Sequence, residues 1–445
     1  MGKYFGTDGV RGQAGRDVTA SIAFRIGRYL GQYPNGSKNR ILIARDTRIS
    51  GQMLCASLVA GITASGSSAT KLGVSTTPSI SYLVTKHNFD FGIMISASHN
   101  PYFDNGIKVF NRFGEKLEED IELAIEKYID QTNDDLPLAT GKDIGSSKEE
   151  RLLVDDYLDY VASKATADLS KLFVLIDAAN GSASHLISGL CSRIGLKADV
   201  IFDKPNGTNI NDLCGSTHIK NLKKHMLENG YDLGLAFDGD ADRLLMVNHH
   251  GEVIDGDAML YLAARDLKRN NALSDNKIVL TVMSNIGVKM ALRRAQIDFM
   301  EVQVGDKYVQ AALKKHHLTL GGEQSGHMIF FDELNTGDGL LSMVKMLNII
   351  AASNQSIESL LSDLKTYPQV LKNITVANKK EVMEHAGLKE VIARIEQELN
   401  GTGRILIRPS GTEPLIRIMV EAETSAICSR YVDEVYSFIA EAFVN

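Results

Sequence analysis

One polar loop of the sequence carries a serine with reactive groups close beside it. The loop SASHNP (96–101) follows the apolar segment GIMI (92–95), so Ser98 lies next to His99, with Lys108 further along the chain. A serine takes part in phosphoryl transfer when a base activates it or when its phosphorylated form is stabilised. On such a loop we expect Ser98 to be exposed. Serine, asparagine and proline also form turns, and a plain turn explains this loop at least as well when it is considered alone.

A second loop, DGDADR (238–243), follows another apolar segment and carries carboxylates at positions i, i+2 and i+4. They belong to Asp238, Asp240 and Asp242. Carboxylates packed this closely repel one another unless a cation offsets them, and oxygen-only ligands favour Mg²⁺, Mn²⁺ or Ca²⁺ over zinc. The loop is not an EF-hand, because its sixth and twelfth positions would be Arg243 and His249. It therefore predicts a divalent metal site rather than a solvated acidic turn.

A third loop lies in RPSGTEPLIR (408–417), between two apolar segments. Arg408 and Arg417 flank Ser410, Gly411 and Thr412. Guanidinium groups, hydroxyls and free backbone N–H groups are suited to binding a phosphate. A tight hairpin with two surface arginines explains the same residues equally well when this loop is considered alone.

Two further segments carry weaker indications of a site. FGTDGVRG (5–12) places Arg11 in a glycine-rich stretch, and GGEQSGH (321–327) combines a carboxylate, an amide, a hydroxyl and an imidazole. Mixed donors and acceptors of this kind bind sugar hydroxyls. For the imidazole, that of His327, a structural role is as good an explanation as a catalytic one.

The elements that position these loops follow from short apolar runs that alternate with helical patterns. The runs are ILIA (41–44), GIMI (92–95), FVLI (173–176), GLAF (234–237) and IVLTVM (278–283). Such alternation predicts βαβ units and a mostly parallel sheet, with ligands at the carboxyl ends of the strands. LIRIMVEA (415–422) predicts a further strand, followed by an amphipathic helix over about 425–443.

Composition limits the classes of function. The chain has 445 residues and a formal net charge of −7, without a basic stripe, so we expect no nucleic-acid partner. We find no apolar run long enough for a membrane span and no apolar leader, and the four cysteines form no CxxC pair. These features predict a cytoplasmic enzyme with no membrane partner.

Together the loops fit one kind of reaction. A phosphoserine carries a charge of about −1.5 to −2, which a cation held by the three aspartates could neutralise. Phosphoryl transfer depends mostly on positioning and charge stabilisation. The chain has no nucleotide-binding motif, which argues against a kinase.

A series of motifs carries a family resemblance over essentially the whole chain. In order they are FGTDGVRG, DTRISG, GIMISASHNPYFDNGIK, DAANGS, PNGTNINDLCGSTH, DGDADR, GEVIDGD, VGDKYV, GGEQSGH and RPSGTEPLIR. With them the chain resembles the α-D-phosphohexomutase superfamily, and within it the branch that acts on glucosamine phosphates. The resemblance implies an α/β fold of three related domains with mixed sheets and a smaller α+β C-terminal domain around a central cleft. We expect domains at 1–150 with the phosphoserine loop, 151–250 with the metal loop, 251–366 with the sugar loop and 367–445 with the phosphate loop.

The resemblance also implies roles for single residues. Ser98 matches the phosphoserine, whose phosphate would complete a site for one Mg²⁺ per subunit with Asp238, Asp240 and Asp242. Arg11, Lys108 and His327 match residues near the transferring group, with the general acid and base left open. Glu323 and Ser325 match a sugar-hydroxyl loop. The residues expected to grip the non-reacting phosphate are Arg408, Ser410, Gly411, Thr412 and Arg417.

The implied reaction interconverts glucosamine 6-phosphate and glucosamine 1-phosphate through glucosamine 1,6-bisphosphate, in the supply of UDP-N-acetylglucosamine and cell-wall precursors. A phosphomannomutase or phosphoglucomutase of the same superfamily is the main alternative. A phosphatase of the haloacid-dehalogenase kind, with Asp238 as nucleophile, and a non-catalytic sugar-phosphate sensor are the others. The expected partner is a small sugar phosphate, and a homodimer stays open. Ala241 stands where relatives commonly have glycine, and we expect the metal loop to tolerate it.

Overall fold

The computed structural model describes residues 2–34, 36–410 and 414–443. The chain forms two compact units. The large unit comprises Met1–Met283 and Ile297–Leu361, and the small unit comprises Ser284–Gln296 and Ser362–Asn445. Within the described ranges, no helix combines the length and the apolar character that crossing a membrane requires.

The first part of the large unit is built on a seven-stranded sheet. Its elements are β1 (Phe5–Gly6), β2 (Gly9–Gln13), α1 (Ala20–Gln32), β3 (Arg40–Arg45), α2 (Gly51–Ala64), β4 (Ser68–Val74), α3 (Thr77–Lys86), β5 (Phe91–Ile95), β6 (Asp104–Asn111), α4 (Glu119–Ile129) and β7 (Ser147–Glu149). The strand order is β1-β2-β6-β5-β3-β4-β7. Strands β5, β3, β4 and β7 are parallel, whereas β6, β2 and β1 are antiparallel.

The central strands of this sheet have the continuous apolar sequences expected of strands that are covered on both faces. Ile41, Ile43, Ile93 and Ile95 are all fully or almost fully buried. The loop with Ser98 follows β5, but the next element is the antiparallel strand β6 and not a helix. The serine loop is therefore a hairpin connection at the carboxyl end of β5, where the apolar run alone suggested a strand-to-helix connection.

The second part of the large unit has a five-stranded mixed sheet in the order β12-β11-β10-β8-β9. Its elements are α5 (Leu153–Ala162), β8 (Phe173–Asp177), α6 (Ile187–Ile194), β9 (Lys197–Ile201), α7 (Lys220–Asn229), β10 (Leu233–Phe237), β11 (Leu244–Asn248) and β12 (Val253–Ile254). The aspartate loop connects β10 to its antiparallel neighbour β11. Both loops thus lie at the carboxyl end of a fully buried strand and lead into an antiparallel partner.

The third part has a four-stranded sheet in the order β14-β13-β15-β16. In chain order its elements are α8 (Gly256–Arg269), β13 (Lys277–Thr281), α9 (Ile286–Arg294), β14 (Asp298–Val302), α10 (Asp306–His316), β15 (Leu320–Gly322), β16 (Met328–Phe330), α11 (Gly339–Ser353) and α12 (Ile357–Leu360). The segment with Glu323 and His327 connects β15 to the antiparallel β16. Helix α9 groups with the small unit, because Asn285 donates to the Tyr367 carbonyl and the Ile286 N–H donates to Glu421.

The remaining elements form the small unit, with an antiparallel sheet in the order β17-β19-β18. They are β17 (Gln369–Thr375), α13 (Lys379–Glu384), α14 (Ala386–Leu399), β18 (Arg404–Pro409), β19 (Leu415–Glu421) and α15 (Ser425–Phe443). Ile416, Ile418 and Val420 alternate along β19 and pack with α15 residues in one core. The expected fold class is confirmed: three α/β parts with mixed sheets and a smaller C-terminal sheet domain.

Candidate active site

Ser98 is buried, with 1% of its surface exposed, so our expectation of an exposed serine is wrong. Its Oγ donates to Asp238 Oδ2 at 2.6 Å, so the metal loop of the second sheet covers it. Its backbone has φ of 52°, in the left-handed region that residues other than glycine rarely adopt. A serine in this conformation needs support from its surroundings, and such positions cluster at functional sites.

Three side chains hold the backbone of Ser98 in that conformation. Ser96 Oγ accepts from the Ser98 N–H at 2.9 Å. The Ser98 carbonyl accepts from Asn211 Nδ2 at 2.9 Å and from Arg48 Nη2 at 3.1 Å. Arg48 forms a fully buried ion pair with Asp46, so its guanidinium is fixed by two kinds of contact. The segment DTRISG therefore supports the serine loop from behind.

The three aspartates of the metal loop converge as their spacing predicts. Asp238 and Asp240 are fully buried and Asp242 nearly so. Each offers a carboxylate oxygen, and these oxygens lie within 4.8 Å of one another. Burial and repulsion by Asp242 and Asp240 raise the pKa of Asp238 well above its usual range. The loop holds more negative charge in one place than its own backbone can offset.

Lys108 supplies a cation to this cluster. Its Nζ lies 2.8 Å from Asp240, 3.0 Å from Asp8 and 3.3 Å from Asp242, and the side chain is 2% exposed. Burial disfavours the ammonium, but the carboxylates of Asp240, Asp8 and Asp242 outweigh it and hold the pKa of Lys108 well above its usual range. Lys108 is therefore charged at neutral pH.

The donor set fits a divalent metal ion. Oδ1 of Asp240 and Oδ1 of Asp242 are buried and accept no hydrogen bond from the described residues, although Lys108 contacts the other oxygen of each. Buried carboxylate oxygens without a hydrogen bond are costly, and a hard cation satisfies them. With Asp238 beside Ser98 Oγ, these oxygens could hold a cation next to a group carried on the serine.

Further charges surround the cluster on the side of the first sheet. Asp8 forms an ion pair with Arg11, and Lys116 Nζ lies 2.6 Å from Asp8 and 2.5 Å from Asp306. Burial alone would lower the pKa of Arg11, but the Asp8 carboxylate outweighs burial and raises that pKa above its usual range. Arg11 is thus a fixed cation near the aspartate cluster.

His327 and Glu323 approach the cluster from the third sheet. His327 is 2% exposed, with Nδ1 3.7 Å from Asp242 Oδ1 and Nε2 4.0 Å from Asp306 Oδ2. Burial lowers its basicity, but Asp242 more than compensates and raises the pKa of His327 to about 9. Glu323 accepts from the Gly305 N–H at 3.0 Å, and Ser325 is exposed on the same loop.

His99 has a different character from His327. Its Nδ1 lies 3.2 Å from Arg243 Nη1 and 3.5 Å from Ser98 Oγ. Burial and the neighbouring guanidinium groups of Arg243 and Arg11 lower the pKa of His99 to about 4. It is a neutral imidazole whose Nδ1 accepts from Arg243, which fixes the ring beside the serine.

The predicted phosphate loop lies in the small unit. Arg408 on β18 is the cross-strand partner of Arg417 on β19. Burial and the Arg417 charge lower the pKa of Arg408, as expected of two cations held side by side. Ser410 is buried, and its carbonyl accepts from Lys379 Nζ at 2.7 Å. Gly411 and Thr412 lie outside the described residues.

Sequence reasoning singled out most of the groups that meet at the aspartate cluster but missed several. Asp8 and Asp306 lie inside motifs that were recognised as FGTDGVRG and VGDKYV, so their position was a usable signal. Arg48 and Asn211 act through carbonyl groups, and Lys116 reaches two separate segments. Arg48 and Asn211 also lie inside recognised motifs, DTRISG and PNGTNINDLCGSTH, whereas nothing in the local sequence of Lys116 marks it.

Ala241 adopts φ of 57° and is fully buried. The position therefore uses the left-handed conformation that glycine would adopt without strain. Ala241 N–H still donates to the Asp238 carbonyl at 3.1 Å, so the turn of the metal loop is formed with alanine in place.

Four sequence families match the chain in succession. Residues 2–135 match phosphoglucomutase/phosphomannomutase alpha/beta/alpha domain I, 155–251 match domain II, 255–367 match domain III, and 371–437 match the C-terminal domain.

Full-length relatives agree with this assignment. Phosphoglucosamine mutase of Bacillus velezensis is 44% identical over 441 residues, which cover 99% of this chain and 98% of the relative. The phosphoglucosamine mutase of Lachnoclostridium phytofermentans is 46% identical over 436 residues, or 98% of this chain and 97% of the relative.

Among solved structures, N-acetylphosphoglucosamine mutase from Aspergillus fumigatus, in complex with GlcNAc-6P and magnesium, has a TM-score of 0.70 at 18% identity. The match covers 99% of this chain and 96% of that one.

Proposed function

The chain belongs to the phosphoglucosamine mutases of the phosphohexomutase superfamily, and from this premise we propose that it works through a phosphoryl group carried on Ser98. The enzyme interconverts hexosamine phosphates, glucosamine 6-phosphate and glucosamine 1-phosphate. The observation that carries the proposed mechanism is the 2.6 Å contact between Ser98 Oγ and Asp238 Oδ2. This contact places the Ser98 oxygen against the Asp238 carboxylate, whose negative charge requires a cation nearby.

We propose Asp238, Asp240 and Asp242 as ligands of one Mg²⁺, with an oxygen of the Ser98 phosphate beside them. The Oδ1 atoms of Asp240 and Asp242 accept no hydrogen bond from the described residues, which supports this assignment, and the Aspergillus relative was crystallised with magnesium. When bound, such an ion neutralises phosphoryl oxygens and makes the phosphorus easier to attack.

The protein's own groups then position the reaction. Arg48 and Asn211 keep the Ser98 carbonyl in place, and Arg11 and Lys108 supply positive charge next to the carboxylates. Preorganised charges of this kind act most strongly where water is excluded, and the side chain of Lys108 is almost fully buried. Lys108 and His327 are the two groups that we propose for proton transfer, since each carries a proton at neutral pH.

The reaction balances through a bisphosphate. The sugar's free hydroxyl attacks phospho-Ser98, the bond from phosphorus to Ser98 Oγ breaks, and the hydroxyl proton passes to a nearby base. Glucosamine 1,6-bisphosphate results. Ser98 Oγ then attacks the phosphorus of the other phosphate. The bond from that phosphorus to the sugar oxygen breaks, and the sugar oxygen takes a proton. The phosphoserine is restored and the isomeric monophosphate is released.

Substrate recognition is assigned to two groups of residues. We propose that Glu323 and Ser325 bind sugar hydroxyls, because a buried carboxylate and an exposed hydroxyl share one loop. For the non-reacting phosphate we propose Arg408, Ser410, Gly411, Thr412 and Arg417. The paired charges of Arg408 and Arg417 support this, since an anion relieves their mutual repulsion.

We place the enzyme in the cytoplasm, in the supply of UDP-N-acetylglucosamine and cell-wall precursors. Its four cysteines are free thiols, which suits a reducing compartment. The partner it requires is a small sugar phosphate, and light scattering would test whether a homodimer forms.

The proposal on substrate choice is tested by kcat/KM for glucosamine 6-phosphate, glucose 6-phosphate and mannose 6-phosphate. We expect the amino sugar to be preferred, and a preference for mannose 6-phosphate would contradict the assignment. The phosphate grip is tested by Arg408→Ala against Arg430→Ala, an exposed arginine elsewhere in the small unit. Arg408→Ala should raise KM and Arg430→Ala should not; equal KM values would contradict the role of Arg408.

A further inference from the structure

A cavity of about 740 Å³ lies in the large unit, and none of the groups at the phosphorylation site lines it. Its walls are largely apolar and include Val59 of α2, Leu72 of β4, Val154 of α5 and Leu186. A cavity of this size, apolar with a few polar groups, is typical of small-molecule sites. The mutase reaction gives it no role.

The charges at this cavity are positive in a chain whose net charge is −7. Arg45, Lys71 and Arg151 line it together with one carboxylate, Glu149. Arg151 is already paired with Glu149 at 2.8 Å. The Lys71 ammonium has no ion-pair or hydrogen-bond partner in the described part of the chain, although Glu149 attracts both Lys71 and Arg45 from a greater distance. Three cations therefore share one carboxylate, and a net positive charge is left for an anion.

The cavity is connected to the serine loop through Arg45. Its Nη1 donates to the Asp46 carbonyl at 3.0 Å, and the Asp46 carboxylate holds Arg48. Arg48 Nη2 in turn donates to the carbonyls of Ser98 at 3.1 Å and Asn100 at 2.5 Å. Asp46 and Arg48 are fully buried, so these contacts cannot readily be exchanged for water.

We propose that this cavity binds an organic anion with an apolar body, and that the occupant lowers mutase activity by drawing Arg45 away from Asp46. The apolar walls take the body, and Lys71 and Arg45 take the charge. Without the contact from Arg45, the Asp46–Arg48 pair holds the Ser98 carbonyl less firmly. The proposed site lies beyond the substrate groups of the mutase reaction and does not depend on their assignment.

The probe is 8-anilinonaphthalene-1-sulfonate, an aromatic anion, titrated into the full chain while its fluorescence is followed. The wild-type chain contains no tryptophan, so no native indole transfers energy to the bound probe. Ala56→Trp fills the cavity from an exposed helix position, and Lys71→Ala removes the free cation. Lys148→Ala is the matched control, because Lys148 is exposed on the neighbouring strand and is paired with Glu150.

We expect saturable binding of one probe by the wild type and by Lys148→Ala, about five-fold weaker binding by Lys71→Ala, and no saturable binding by Ala56→Trp. Saturating probe should lower kcat of the wild type and leave that of Ala56→Trp unchanged. Absence of saturable binding to the wild type, or equal binding by Ala56→Trp shown to be folded by circular dichroism, overturns the site. Unchanged kcat in the saturated wild type overturns the transmission to Ser98.

Discussion

Replacing Lys108 with methionine removes an ammonium that lies among three acidic side chains while keeping most of its apolar stem. Its Nζ lies 2.8 Å from Asp240, 3.0 Å from Asp8 and 3.3 Å from Asp242. Removing one partner from a buried group of charges costs about 3–5 kcal/mol, since the others stay buried without compensation. In metal-free buffer we expect Lys108→Met to lose stability by this amount, which corresponds to a fall of roughly 4–7 °C in Tm for a unit as large as the one that contains Lys108.

Magnesium should stabilise Lys108→Met more than it stabilises the wild type. A ligand that binds only the folded state adds about 2.7 kcal/mol when its concentration is 100 times Kd. In Lys108→Met the carboxylates of Asp240 and Asp242 no longer share a resident ammonium, so they should bind Mg²⁺ more tightly. The same Mg²⁺ concentration is therefore expected to raise Tm further in the variant.

The assay is thermal unfolding followed by circular dichroism, in EDTA and in excess Mg²⁺. Lys148→Met is the control, because its pair with Glu150 is exposed and should be worth no more than about 1 kcal/mol. If Lys108→Met unfolds at the wild-type temperature in EDTA, the charge balance described for the site is wrong. An equal shift with Mg²⁺ in both proteins would refute the competition between metal and lysine.

Three further changes have expected outcomes. Chelation should abolish activity, and Asp240→Asn should reduce kcat/KM far more than Asp17→Asn at an exposed turn; equal effects would argue against the metal site. Ala241→Gly should change the free energy of unfolding in urea by less than about 1 kcal/mol. Glycine relieves the strain of the left-handed backbone, but the loss of a buried methyl group and a more flexible unfolded chain offset that gain. A larger loss of stability would show that Ala241 is not strained. Glu333→Gln should lower the free energy of unfolding by about 1 kcal/mol at pH 7. Burial alone would raise the pKa of Glu333, but two lysines outweigh burial and lower that pKa to about 2. The difference in stability between the variant and the wild type should therefore disappear as pH falls from about 4.5 toward 2, and a difference independent of pH would refute the assignment.

The parts of the fold that sequence predicted are those with a local signal. Apolar runs marked β3, β5, β8, β10 and β13, and the polar loops after β5 and β10 were expected at the carboxyl ends of strands. The antiparallel direction of β6 and β11 was not visible in those runs, because a buried strand has the same apolar composition whichever way its neighbour runs.

The site shows the same division between local and distant signals. Asp238, Asp240 and Asp242 could be predicted as a cluster, since three carboxylates at alternate positions of one loop must either converge or repel. The burial of Ser98 could not, because it depends on Arg48 and Asn211, which lie 50 and 113 positions away along the chain. Pairing across such separations is set by the packing of sheets against one another.

The family resemblance supplied what residue types alone left open. By itself SASHNP fitted a plain turn at least as well as a reactive loop, and the 2.6 Å contact of Ser98 with Asp238 is what joins it to the metal loop. Ala241 shows the converse, since its φ of 57° gives a physical reason why the resemblance leads one to expect glycine at that position.

The most direct test is to locate the phosphate on the purified enzyme by intact-mass measurement and acid-resistant phosphosite mapping after incubation with glucosamine 1,6-bisphosphate. Ser98→Ala and Ser170→Ala are measured in parallel, because Ser170 also donates to an aspartate, Asp168, at 2.7 Å but lies exposed on another loop. We expect one acid-stable phosphate on Ser98, lost together with mutase activity in Ser98→Ala and kept in Ser170→Ala. An acid-labile phosphate on Asp238, or full mutase activity in Ser98→Ala, would contradict the phosphoserine mechanism.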